Sequence, residues 1–138
     1  MMASAAAVGI CLQLAAVPDA EVVHIDTQKF TLAWMHSIEH QRWEELYSVR
    51  LDNKGQPYLQ IDQARVKGSG AGMEPASEAE YKEGWYQYVP AQKAPDVLAL
   101  TRSEYTPDYE FCTEGQCASL GQYLLSDGGV TNLWACRS

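Results

Sequence analysis

The chain has 138 residues, a formal net charge of −8 and a hydrophobic fraction of 46%. That length suits one domain with one core, and the hydrophobic content excludes a disordered chain. The acidity argues against a phosphate-binding surface and leaves no polybasic patch for anionic lipid, so nucleic acid is not an expected partner.

Ala3 to Val17 is small and apolar, broken only by Ser4, Gly9 and Gln13. The run is short of the ~20 apolar residues of a spanning helix. It has the length of a signal-peptide apolar region, although no Lys or Arg precedes it. Residues 1–20 are expected to be a signal peptide or short hydrophobic anchor, with a buried N-terminal helix as the alternative. Residues 21–138 are expected to form a single β domain.

Strands are predicted from alternation and from β-branched and aromatic content. Glu21 to Asp26 is the first. In Phe30 to Ser37, Phe30, Leu32 and Trp34 share one face, which His36 continues. In Arg42 to Leu51, one face carries Trp43, Glu45, Tyr47, Val49 and Leu51, and the other Arg42, Glu44, Ser48 and Arg50. A hairpin with Glu39-His40-Gln41-Arg42 as its loop would set Leu32 opposite Val49, Trp34 opposite Tyr47 and His36 opposite Glu45. Parity is the firmer part of that expectation, because a slip of one residue would bury the charged face.

After the Asp52-Asn53-Lys54-Gly55 turn, Pro57 to Val66 is a strand whose apolar phase shifts between Leu59/Ile61 and Ala64/Val66. The shift predicts a bulge near Asp62-Gln63. Gly68 to Gly72 and the acidic stretch to Glu80 read as loop. Trp85 to Val89, Val97 to Thr101, Tyr109 to Cys112 and Val130 to Cys136 are further strands, and Leu120 to Leu125 is either strand or one helical turn. The fold class is therefore all-β, a small antiparallel sandwich or barrel-like domain with an N-terminal apolar segment.

Four cysteines are present: Cys11, Cys112, Cys117 and Cys136. Thr-Glu-Gly-Gln between Cys112 and Cys117 is a turn-forming spacer, so Cys112–Cys117 is the expected disulfide, with Cys117–Cys136 as the alternative. Zinc-finger spacing is absent.

The chemistry-bearing candidates are His36 and Glu45, both on otherwise apolar faces. A buried carboxylate is costly unless paired. The two could form an imidazole–carboxylate pair that binds a ligand or acts as acid and base. They could equally be a self-satisfied polar pair that fixes strand register. Ser37 points away from His36 on a strand and no nucleophile elbow exists, which disfavours a serine hydrolase. His36, Glu39, His40 and Glu45 surround one hairpin, but its loop solvates Glu39 and His40, so no metal is expected. The Gly68-Ser69-Gly70-Ala71-Gly72 run lacks a P-loop ending, so no nucleotide cofactor is expected either. The Trp85-Tyr86 and Tyr88 side chains cover both faces of their strand, offering one face to a ligand or partner.

Three segments in order carry a family resemblance. They are Phe30-Thr31-Leu32-Ala33-Trp34-Met35-His36-Ser37-Ile38-Glu39 with Glu45 six positions on, then Gly70-Ala71-Gly72-Met73-Glu74-Pro75, then Gly84-Trp85-Tyr86. Together they resemble DUF1850, a small bacterial domain of unknown function. The resemblance implies that His36, Ser37, Glu39, Glu45, Gly70 and Gly72 are signature residues. It also implies a secreted or membrane-tethered protein, often encoded beside tripartite periplasmic (TRAP) transporters of the TAXI type. The resulting expectation is a periplasmic, non-catalytic accessory domain that contacts a TAXI-type transporter subunit or solute-binding protein. Its N-terminal segment would be its only membrane contact. The alternative is a small-molecule or metal-binding β domain using the His36/Glu45 pair.

Overall fold

The computed structural model describes residues 7–35, 41–67, 80–91 and 93–138. Among these residues eleven strands run in chain order: β1 Val8–Leu14, β2 Val23–Ile25, β3 Lys29–Met35, β4 Arg42–Leu51, β5 Pro57–Lys67 and β6 Glu80–Lys82. They continue with β7 Trp85–Tyr88, β8 Val97–Thr101, β9 Glu110–Thr113, β10 Gln116–Ser119 and β11 Val130–Arg137. One 3-10 turn, Leu120–Gln122, lies between β10 and β11. The strands form two antiparallel sheets, ordered β2-β1-β11-β8 and β10-β9-β3-β4-β5-β7-β6. The chain is thus an all-β sandwich, as its alternating pattern implies.

The two inner faces make one core. Ile10, Leu12, Leu98, Leu100 and Leu133 of the four-stranded sheet meet Phe30, Leu32, Tyr47, Val49, Leu59 and Phe111 of the seven-stranded sheet. Burying each such side chain contributes about 1.5–3 kcal/mol. Phe30 stacks on both Tyr47 and Phe111, with ring centroids 5.2 and 5.3 Å apart.

Val8–Leu14, within the stretch expected to be a signal or anchor, is an interior strand of the first sheet. Ile10 and Leu12 are fully buried in the core, and Cys11 is buried on the opposite face. Burial on both faces removes the alternation that would have marked a strand, leaving a plain apolar run. The boundary expected at residue 21 therefore cuts through the first sheet, and the domain includes β1. Gly9 has a definite reason to be glycine: a Cβ there would collide with the backbone carbonyl of Ile25 on β2.

Cys112 and Cys117 stand directly opposite each other on β9 and β10 and form the expected disulfide. Their turn is Glu114-Gly115, both at positive φ, as a tight hairpin requires. The alternative Cys117–Cys136 bridge is not formed. Cys136 instead joins Cys11, a diagonal neighbour across the β1–β11 pair, over a Cα separation of 6.0 Å. Two disulfides are characteristic of proteins from oxidising, extracytoplasmic compartments. Among the described residues, no helix is long and apolar enough to cross a membrane.

Candidate functional site

β4 sits at the centre of the seven-stranded sheet, and its register determines what surrounds Glu45. Phe30 faces Tyr47, Leu32 faces Glu45 and Trp34 faces Trp43. The expected register, with Trp34 opposite Tyr47, is therefore displaced by four residues, while the parity is as expected. Hydrophobic alternation specifies which face is buried but not how far two strands slide by even steps. The place opposite Glu45 expected for His36 is held by Leu32. His36, Ser37 and Glu39 lie outside the described residues, as do Gly70 and Gly72; of the six expected binding residues, Glu45 is the one placed.

The predicted bulge is present. The β4–β5 register shifts between Leu46 and Tyr47, so that Gln63 and Ile61 pair across and Asp62 is the extra residue. The Asp62 carboxylate accepts hydrogen bonds from Ser48 at 3.1 Å and Gln60 at 2.9 Å.

The outer face of β4 is a satisfied ionic network. Glu44 accepts hydrogen bonds from Arg42 Nε at 2.8 Å and Arg65 Nε at 2.6 Å. Arg42 also reaches Glu110 at 2.8 Å. Burial works against the Glu44 charge, but the two guanidiniums outweigh it, and the carboxyl titrates below its ordinary range. On the same face the Arg65 guanidinium lies 4.5 Å from the centroid of Trp85, whose other cationic neighbour is Lys67.

The inner face is different. Glu45 lies between Leu32 on β3 and Ala64 on β5, both buried. The Tyr47 hydroxyl donates to Glu45 Oε1 at 2.8 Å. Desolvation raises the Glu45 pKa, and the Tyr47 hydrogen bond only partly opposes it. The carboxylate in turn adds to the burial that raises the phenols of Tyr47, Tyr88 and Tyr109. Three elements therefore bring tyrosines to one acid: β4, β7 and the segment just before β9. Trp34 and Trp43 extend the surface, stacked at 6.3 Å, and Trp34 also meets Tyr109 at 5.8 Å. All these aromatics except Tyr47 are only partly buried. Among the described residues, no Lys, Arg or His forms an ion pair with Glu45.

A carboxylate within an apolar sheet face weakens the fold unless something pairs with its charge. Sites where burial and neighbours shift a titratable group in this way are binding-site candidates. The sequence flagged Glu45 through its place on an apolar face and Tyr88 through a strand with a face to offer, but it did not link the two, and Tyr109 was missed. Both tyrosines are far from Glu45 in sequence and meet it only through the strand order.

Two other features bring polar groups together elsewhere in the described residues. A cleft of about 590 Å3 opens between β5 and the connection that includes Val89, Pro90 and Ala94, with Asp52, Lys93 and Asp96 at its solvated edge. Glu110, Cys112 and Cys117 bring potential metal-binding atoms within 4.8 Å of one another. The two sulfurs are bonded to each other and offer no thiolate in this state.

The fold and site define a two-sheet β-sandwich with a desolvated carboxylate on an aromatic inner face. The chain belongs to the DUF1850 family, described as a domain of unknown function, which it matches over residues 30–120. The matched span runs from β3 to the end of β10 and the first residue of the 3-10 turn, and it includes Glu45, Tyr47, Tyr88 and Tyr109. Neither the curated proteins nor the solved structures contain a match.

Proposed function

We propose that this chain is a non-catalytic accessory module of the periplasm that serves a TAXI-type tripartite solute transporter and holds a small solute at Glu45. The observation that carries the binding role is Glu45 itself, a desolvated carboxylate held by one phenol in a partly open aromatic surround. Family membership and the two disulfides support the compartment. The transporter association rests on what such domains are encoded beside. The alternative, a metal-binding site, would pair Glu45 with His36, which lies outside the described residues.

Thermal stability of the purified chain against a panel of periplasmic solutes and metals tests the binding role. A solute that raises the midpoint in the wild type and not in Glu45→Gln supports it, since a ligand stabilises only the state that binds it. No shift with any solute or metal counts against it. Capture of a transporter subunit from envelope extracts by the tagged chain tests the association. Failure to capture one, with the chain folded and disulfide-bonded, counts against that part.

A further inference from the structure

Glu45 is the charged group of the candidate site, and beyond its cross-strand neighbours Leu32 and Ala64 the inner face is aromatic. Trp34 and Trp43 stack beside it on the inner sheet face, Tyr109 leans on Trp34, and Tyr88 approaches from β7. On the strand between Glu45 and Tyr88 stands Ala64, which presents only a methyl group. The side chain that separates acid and phenol is therefore small. On the opposite face of the same sheet, Glu44 has the same chemistry and is paired by two arginines. The inner acid has aromatic rings beyond Leu32 and Ala64, and no cation among the described residues pairs with it.

From this we infer that the site takes an organic ammonium cation, an amine or quaternary ammonium group, with its charge on Glu45 and its alkyl surface on Trp34, Trp43, Tyr88 and Tyr109. The inference rests on the solute-binding reading and names its ligand class. Aromatic faces attract such cations through the ring quadrupole, and most strongly where water is excluded. An inorganic divalent ion would demand several oxygen ligands in a small shell, whereas a methylated ammonium needs one countercharge and a broad apolar surface. A carboxylate solute would meet like charge at Glu45 and suffer repulsion in a desolvated setting.

The test uses the full-length, disulfide-bonded chain at neutral pH. Choline and its uncharged analogue, with a tert-butyl group replacing trimethylammonium, are titrated against tryptophan fluorescence and binding heat. The expected result is saturable choline binding, with the analogue weaker by about tenfold or more. Glu45→Gln should lose that preference while keeping its far-UV circular dichroism. Tyr88→Leu, which keeps the Glu45 charge, should bind choline several-fold more weakly and still prefer it to the analogue, so the test survives if Glu45→Gln does not fold. Equal binding of choline and analogue would overturn the cation assignment and leave solute binding intact. So would a neutral or acidic solute that acts through Glu45 while choline does not. No binding by choline or by any solute of the panel would overturn both.

Discussion

Glu44 and Glu45 are neighbours on β4, point to opposite faces of the same sheet, and titrate in opposite directions. Glu44 holds its proton less tightly than a free carboxyl because Arg42 and Arg65 outweigh its burial. Its folded pKa is depressed, so the stability it provides is present above the unfolded value and lost as pH falls through the folded one. Glu44→Gln should cost about 2 kcal/mol at neutral pH, since it leaves two half-buried guanidiniums short of their partner. Urea unfolding at pH 7 checks the loss. Repetition in acid should show the gap closing below the ordinary carboxylate range.

Arg102 is 2% exposed and makes two hydrogen bonds to Asp108, at 3.0 and 2.7 Å, and one to Thr131 at 3.1 Å. It thereby ties the end of β8 to β11 and to the segment before β9. Asp108→Asn should cost about 3 kcal/mol by leaving a buried guanidinium without its counter-charge. A double-mutant cycle with Arg102→Met should be strongly non-additive, because the second change removes the stranded charge. Additive losses would mean that the two side chains stabilise the fold independently.

The two disulfides should contribute unequally. Cys11–Cys136 closes a loop of sequence separation 125, and Cys112–Cys117 one of only 5. Chain entropy alone gives about 5 kcal/mol for the long loop and about 2 kcal/mol for the short one. Paired Cys→Ser substitutions, compared by denaturant unfolding, should reproduce that order. A chain beginning at residue 21 should fail to fold, because it lacks β1, the Cys11 bridge and the core residues Ile10 and Leu12.

Much of the fold was legible because half-buried strands print their geometry in the sequence. Phe30, Leu32 and Trp34 alternate, and the phase change from Ile61 to Ala64 marks the bulge at Asp62. The hairpin spacing of Cys112 and Cys117 announced their bond. β1 was unreadable because both its faces are covered, so small apolar residues mimic an export signal. β6 and β10 were unreadable because three or four mostly polar residues carry no period. Glu45 stood out as an acid on an apolar face. The company it keeps did not, because the adjacency of β5 to β7 and of β3 to β9 is a long-range pairing that local patterns do not encode.

The most direct test of the central claim is the stability of Glu45→Gln against wild type, without ligand, at pH 7. The Glu45 pKa is raised in the folded state, so its ionisation works against folding as pH climbs from the unfolded value through the folded one. Glutamine keeps an acceptor for the Tyr47 hydroxyl and removes the desolvated charge. Glu45→Gln should melt at the same temperature or a few degrees higher at pH 7, with the difference vanishing in acid. A clear loss of stability at pH 7 would show that Glu45 holds the sheet together, and would contradict its assignment as a binding group.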